Sequence, residues 1–217
     1  MTLSAEVKRK IALKSEELYE KRIAPYAKDL SSLQKEAILA FQKLVFTVDY
    51  YFEHNKEINQ NILSYFWKQA EKFFDDLGIN KSTQLSLLQD IRDYADIEMS
   101  TREGKKLSEY EIKLFYFKKS CDVRMQRHII RYLNQQPDVS SEDEIIRDIL
   151  EEIEDDVDDI EEDRATPFNG NRFLEILNSQ DGTRVQEYII FINSQYNAPP
   201  DLAQRIIGKI NNVTSKY

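Results

Sequence analysis

Apolar residues recur every three or four positions along nearly the whole chain, which is the spacing that collects them on one face of an α-helix. The 217 residues include only five glycines and five prolines, whereas β-sheet proteins need more turn residues. The predicted helices span residues 4–22, 31–54, 57–76, 83–98, 107–134, 142–165, 171–178, 183–195 and 199–215. The predicted breaks fall at Pro25, Gly78, Gly104, Pro137, Pro167, Gly182 and Pro199. The pattern predicts an all-α helical bundle and, without a long linker or repeat, a single domain over residues 1–217.

Two of these helices are predicted to be central. Residues 37–52 are apolar almost all round, as in a helix surrounded by others, and Asp49 interrupts them. The helix over 107–134 carries Lys118 and Asp122 within its apolar arc, four residues apart. A buried charge is costly unless it is paired or serves a site, so two alternatives stay open. The two groups form an ion pair within the helix, or they line a polar pocket in the core.

The charge of the chain is concentrated in one segment. The net charge is −9, but residues 142–163 hold fourteen acidic residues and one basic residue, Arg147. That segment therefore carries −13, and the rest of the chain is near +4. Such a segment repels nucleic acid, so we predict no nucleic-acid partner and favour a cation or a metal-bridged ligand.

Other sequence features limit the possible classes of protein. The single cysteine, Cys121, allows no intrachain disulfide and is predicted to lie in the core. No stretch has the length of a transmembrane helix or the pattern of a secretory signal, so we expect a cytoplasmic protein. No Walker A loop, G-x-G-x-x-G motif or EF-hand loop occurs, and two histidines are too few for a ferritin-type di-iron site.

The acidic segment itself has the pattern of a helix that packs against the core. Ser141 and Glu144 match a capping box, and an apolar stripe follows from Ile146 to Ile160. Within residues 151–163, six like-charge pairs at i,i+4 spacing should cost about 0.2–0.5 kcal/mol each, and a divalent cation is the simplest compensation. A ridge of carboxylates borders the stripe, formed by Glu152, Asp156, Asp159 and Asp163. Mg²⁺ combines such carboxylates with water and phosphate oxygens, and a solvated acidic face is the alternative.

The same segment resembles a known motif. Asp155-xxx-Asp159-xx-Glu162-Asp163, followed by Arg172-Phe-Leu, is similar to the second aspartate-rich motif of squalene and phytoene synthases. Asp155, Asp156 and Asp159 also fit the DDxxD motif of trans-prenyltransferases. The resemblance implies a class I isoprenoid synthase fold, an all-α bundle around a deep apolar pocket. It also implies a first acidic motif upstream, for which the span from Asp49 to Glu53 fits better than that from Asp90 to Asp96.

The resemblance implies a prenyl diphosphate-type ligand bound through Mg²⁺. The implied metal ligands are Asp49, Glu53, Asp155, Asp156, Asp159 and Asp163, and the carboxylate ridge adds Glu152. The implied catalytic residues are Asp156 and Asp159, with Lys118, Arg164 and Arg172 to steady the departing diphosphate. The metal would act as a Lewis acid on the leaving group, as in a prenyl diphosphate transferase or a terpene synthase or lyase of isoprenoid biosynthesis.

The sequence leaves two other functions open. In one, the protein is a non-enzymatic helical adaptor whose acidic helix docks a basic partner. In the other, the isoprenoid-synthase fold binds a prenyl ligand without releasing diphosphate. A homodimer is compatible with each of these functions.

Overall fold

The computed structural model describes residues 3–55, 60–102, 109–137, 139–166, 170–179 and 182–216. Within these ranges the backbone forms eleven α-helices, one π-helical turn and no strand, which confirms the predicted all-α class. The elements are α1 (Ala5–Leu18), a π-helical turn (Tyr19–Ile23), α2 (Ser32–His54), α3 (Gln60–Asp76), α4 (Lys81–Arg102), α5 (Glu109–Lys119), α6 (Cys121–Leu133), α7 (Glu142–Asp158), α8 (Ile160–Ala165), α9 (Arg172–Asn178), α10 (Gly182–Ser194) and α11 (Pro200–Thr214). In the described part of the chain, no helix has the length and apolar character needed to span a membrane.

Local sequence signals set several helix ends. The predicted capping box at the start of α7 is present: Ser141 Oγ accepts from the Glu144 amide at 3.2 Å, and Glu144 Oε2 accepts from the Ser141 amide at 3.0 Å. After α3 the chain turns at Gly78, whose φ of 72° favours glycine. The predicted breaks at Gly104 and Pro167 lie outside the described residues.

Two predicted helices are each divided in the structure. The helix predicted over 107–134 is interrupted at Ser120, between α5 and α6. The acidic helix is interrupted at Asp159, where φ is −89° and ψ is 6°. This second break falls where aspartates crowd a helix C-terminal end, and the helix dipole disfavours carboxylates there.

The chain folds as two compact units, and each has its own core. The first unit comprises residues 1–92 and 121–139. Its core includes Ile38 and Phe41 of α2, and the ring of Phe41 stacks on that of Phe73 at 4.7 Å. The rest of the helix predicted to be central is mostly half-buried rather than enclosed. The predicted core position of Cys121 is confirmed.

The second unit comprises residues 93–120 and 140–217. The apolar stripe predicted on the acidic helix is buried here, with Ile149, Leu150 and Ile153 fully enclosed. It packs in one cluster with apolar side chains of α5, α9, α10 and α11. The acidic helix is therefore part of a core, as predicted, and its inner carboxylates are brought beside that core. The single domain predicted over residues 1–217 stays a prediction.

Candidate functional site: a buried ionic network around Asp156

Asp156 is the centre of a hydrogen-bond network in the second unit. It lies in the last turn of α7, and its side chain is 1% exposed. One carboxylate oxygen, Oδ2, accepts from the Tyr116 hydroxyl at 2.6 Å and from the Arg172 backbone N–H at 3.0 Å. The other, Oδ1, accepts from the Lys119 ammonium. Three donors from α5 and α9 thus satisfy this buried carboxylate, and Lys119 balances its charge.

Asn171 links α7, α8 and α9 beside this carboxylate. Its Nδ2 donates to the Asp156 carbonyl and to Asp163 Oδ2, each at 2.6 Å. Its Oδ1 accepts from the Leu174 amide at 2.8 Å, which caps the start of α9. Asn171 was not among the predicted site residues. An asparagine immediately before a helix is the ordinary N-cap signal, but that signal does not reveal the contacts to α7 and α8.

Two tyrosines extend the network into the aromatic core. The hydroxyls of Tyr116 and Tyr188 are 3.2 Å apart, and their rings meet edge to face at 6.1 Å. Because an ionised carboxylate can only accept, Tyr116 donates to Asp156 and therefore accepts from Tyr188. Burial raises the pKa of each phenol, and the charge of Asp156 raises the pKa of Tyr116 further. Both hydroxyls accordingly stay protonated at neutral pH and act as donors along a chain that ends at Asp156.

The charge of Asp156 also affects the pKa values of Lys119 and Asp163. Burial lowers the pKa of Lys119, but the charges of Asp156 and Glu152 outweigh it and raise that pKa well above its ordinary value. Burial raises the pKa of Asp163, the bond from Asn171 lowers it, and the charge of Asp156 raises it again. Lys119 is thus held charged, whereas Asp163 is a weaker acid than an exposed aspartate.

Arg172 is the most deeply enclosed cation of the site. Its side chain is 1% exposed, and the guanidinium Nη1 pairs with Glu175 on the next turn of α9. Its Nε and Nη2 atoms are buried and have no hydrogen-bond partner in the part of the chain described. Arg184 of α10 is half-buried, and its Nη2 is likewise buried without such a partner among the described residues. Buried donors are nearly always paired in folded proteins, so these nitrogens need an explanation.

The opposite face of α7 is neutralised from within the chain. Glu154 accepts from Arg205 at 2.6 and 2.7 Å and from Lys209 at 2.6 Å, and Lys209 also reaches Asp158 at 2.6 Å. The hydrogen bonds from Arg205 lower the pKa of Glu154 to about 2, against the opposing effect of burial. The repulsion predicted within the acidic helix is therefore offset in part by basic residues of α11. That compensation needs no divalent cation, which removes one reason for expecting a metal.

The predicted catalytic cations lie in different environments. Lys118 pairs with Asp93 at 2.6 Å, and Asp122 accepts from Gln42 Nε2 at 3.1 Å. Lys118 and Asp122 therefore each have a partner outside the pair that they were predicted, as one alternative, to form with one another. Arg164 lies exposed on α8. The adjacent Lys119, which was not predicted, contacts Asp156. Tyr116 and Lys119 are three residues apart and hence share a face of α5.

The predicted metal ligands are distributed over both units. Asp49 and Glu53 are half-buried on α2 of the first unit. The others belong to the second unit, where Glu152 and Asp156 are buried and Asp155, Asp159 and Asp163 are half-buried.

The arrangement of these carboxylates can be compared with what Mg²⁺ requires. Among the described residues, no group of three or more His, Cys, Asp and Glu side chains is placed to hold a metal ion. Both oxygens of Asp156 already accept from protein donors. No chemical step is therefore assigned to Mg²⁺. The Mg²⁺ site stays a prediction from the resemblance.

Comparisons with known proteins do not assign the chain to a family. No protein-family model, curated protein or solved structure matches it. The resemblance to isoprenoid synthases therefore stays a prediction that rests on the motif residues themselves. The function of the second unit has to be inferred from its own contacts.

Proposed function

We propose that the second unit binds a prenyl diphosphate-type ligand, as an isoprenoid-synthase-like protein. The observation that carries this proposal is the guanidinium group of Arg172, which is buried beside the Asp156 network with two nitrogens that have no partner among the described residues. Guanidinium groups bind phosphate oxygens through paired, charge-assisted hydrogen bonds. A diphosphate head would satisfy these donors.

The surroundings of Arg172 suit a ligand with a charged head and an apolar tail. The adjacent Phe173 ring packs on Tyr188 at 5.7 Å, and the Phe115 ring meets that of Tyr116 edge to face at 5.2 Å. Aromatic surface thus adjoins the charged groups directly, and aromatic faces also attract carbocations. A prenyl chain released from its diphosphate needs that combination.

The chain's own residues would contribute mainly by positioning. Asp156 accepts from the Arg172 backbone, while Tyr116 and Lys119 fix the carboxylate of Asp156. The backbone of Arg172 is therefore held by Asp156, and Glu175 pairs with its guanidinium. A cation positioned before the ligand arrives is how fixed charges stabilise a departing anion. The roles predicted for Asp159, Lys118 and Arg164 stay expectations from the resemblance.

Thermal unfolding with farnesyl or geranylgeranyl diphosphate tests the proposal. A ligand at one hundred times its dissociation constant stabilises the native state by about 2.7 kcal/mol. For a domain of this size that corresponds to a rise of about 5–11 °C in the unfolding midpoint. The rise should be lost in Arg172→Gln, whose midpoint without ligand reports whether the variant folds. Product analysis of the bound ligand then distinguishes an enzyme from a binder.

The adaptor function remains the second candidate, and the structure gives it less support. Three of the acidic residues that would dock a basic partner, Asp156, Glu154 and Asp158, already pair with Lys119, Arg205 and Lys209. Exposed acids lie at both ends of the segment, at Glu142 and Asp143 and at Glu161 and Glu162. A midpoint that rises with a lysine-rich peptide but not with a prenyl diphosphate would favour the adaptor.

A further inference from the structure

Arg184 joins Arg172 near one tyrosine of the second unit. Arg184 and Tyr188 are four residues apart, so they share a face of α10. Tyr188 packs against Phe173, the residue that follows Arg172, with the rings 5.7 Å apart. Burial raises the pKa of the Tyr188 hydroxyl, and the positive charges of Arg172 and Arg184 act in the opposite direction. The Arg172 backbone N–H and the Tyr116 hydroxyl share Asp156 Oδ2, and the Tyr116 hydroxyl lies 3.2 Å from that of Tyr188. The parts of α9 and α10 that carry the two arginines therefore meet beside Tyr188.

The two arginines differ in burial in a way that suits a ligand from solution. Arg172 is 1% exposed, whereas Arg184 is half-buried. Each nevertheless has at least one buried guanidinium nitrogen without a hydrogen-bond partner within the described ranges. An anion that entered past Arg184 would satisfy donors on both side chains. A single carboxylate, Glu175, pairs with Arg172 on its own helix and leaves two of its nitrogens unmatched.

The carboxylates of the same unit are engaged in other ways. Lys119, Tyr116 and the Arg172 backbone occupy Asp156, and Asn171 donates to Asp163. A ligand anion held through Mg²⁺ would need several of these oxygens to turn away from their present donors. Guanidinium nitrogens need no such rearrangement, because the unmatched donors are already in place.

We propose that Arg172 and Arg184 together form an oxyanion site that binds the head of the ligand directly, without a bridging divalent cation. This inference rests on the proposed function for the identity of the ligand, but it assigns a new residue, Arg184, and a different mode of recognition. The chemistry favours an anion with at least two oxygens that face different donors, such as a diphosphate. A carboxylate or a single phosphate would satisfy fewer of the nitrogens and should bind more weakly.

Calorimetric titration of the full chain with inorganic pyrophosphate tests this site. Each titration is run once with EDTA and once with millimolar Mg²⁺, and farnesyl diphosphate and inorganic phosphate are titrated in the same way. The variant is Arg184→Gln, because the half-buried Arg184 makes none of the hydrogen bonds that hold the Asp156 network. Arg147→Gln, at an exposed arginine of α7, is the matched control for the loss of one positive charge.

We expect pyrophosphate to bind in EDTA, with an affinity that Mg²⁺ leaves within a few-fold. Arg184→Gln should weaken it at least tenfold under both conditions, which corresponds to about 1.4 kcal/mol, and Arg147→Gln should change it less than twofold. Arg172→Lys keeps the charge but loses the planar fork of donors. It should also weaken binding at least tenfold, and its unfolding midpoint without ligand reports whether the variant is folded.

The outcomes separate this inference from the proposed function. Farnesyl diphosphate that binds only with Mg²⁺, equally in wild type and Arg184→Gln, would overturn the inference and leave the proposed function standing. Pyrophosphate that binds in EDTA through Arg184, with farnesyl diphosphate no tighter, would support the anion site and overturn the prenyl ligand. An absence of binding by all three anions would overturn both.

Discussion

Replacing Asp156 with asparagine tests whether its carboxylate is a paired centre of the second unit or one of a row of repelling acids. Asparagine keeps the size of the side chain but removes its charge. Its oxygen can replace Oδ2, which accepts from Tyr116 and the Arg172 N–H, or Oδ1, which accepts from Lys119. Its NH₂ group cannot accept at the other position. The Lys119 side chain, which is 23% exposed in the wild type, would lose the carboxylate that balances its charge.

The expected cost follows from the burial of the pair. Removing one partner of a fully buried ion pair typically destabilises a protein by about 3–5 kcal/mol. Because Lys119 keeps some contact with water, its ammonium would be partly hydrated, and we expect a loss of about 2–4 kcal/mol. Removing the charge of Lys119 as well, in Asp156→Asn/Lys119→Met, should recover at least half of the loss, since no uncompensated charge then remains.

Urea unfolding at neutral pH without metal is the assay for these variants. Glu187→Gln, at an exposed acid of α10, is the control and should change the free energy of unfolding by less than about 0.5 kcal/mol. An Asp156→Asn variant as stable as the wild type, or more stable, would refute the reasoning. It would show that repulsion among the carboxylates outweighs the bonds to Tyr116, Lys119 and Arg172.

Three further changes test other parts of the second unit. The pKa of Glu154 is about 2 in the folded protein, against an ordinary 4.5. Its ionised carboxylate therefore stabilises the fold above the ordinary pKa, and this stabilisation is lost as the pH falls towards 2. Glu154→Gln should accordingly make the stability of the protein less dependent on pH in acid. Acid titration followed by circular dichroism measures this, and an unchanged titration would contradict it. Asn171→Ala removes the cap of α9 and two further hydrogen bonds, to the Asp156 carbonyl and to Asp163. Urea unfolding should therefore show a decrease of about 2–4 kcal/mol in the free energy of unfolding. A decrease below about 1 kcal/mol would mean that only the cap matters. The pKa of Asp163 is raised in the folded protein, so its charged carboxylate destabilises the folded state at neutral pH. Asp163→Asn removes that charge and should therefore stabilise the protein at neutral pH. This gain should vanish in urea unfolding below the ordinary carboxyl pKa of about 3.9, and a loss at neutral pH would show that Asn171 needs the charged form.

Local patterns were sufficient to predict the helices. The capping box at Ser141 and the buried stripe through Ile149 and Ile153 depend on residues only a few positions apart, and both are confirmed. The divisions at Ser120 and Asp159 were missed, because the apolar periodicity runs through both positions without a glycine or proline. Helical periodicity alone does not show where a continuous pattern is divided.

The partners of the acidic residues could not be predicted in the same way. Arg205 and Lys209 lie four residues apart on α11, which places them on one face, but no local signal shows that α7 is their neighbour. The choice of Lys118 over Lys119 followed from an unbroken helix, whereas the structure directs Lys119 to Asp156. The helical pattern also did not predict that Arg172 is buried. The motif resemblance had named Arg172 as a site residue, but not its burial.

The binding of farnesyl diphosphate to the wild-type chain and to Arg172→Gln tests the central claim most directly. Calorimetry at neutral pH, with circular dichroism to show that the variant is folded, is the measurement. We expect saturable binding to the wild type that the variant loses at least tenfold. Equal binding to both proteins, or heat from neither, would contradict the proposal that the second unit holds a prenyl diphosphate through Arg172.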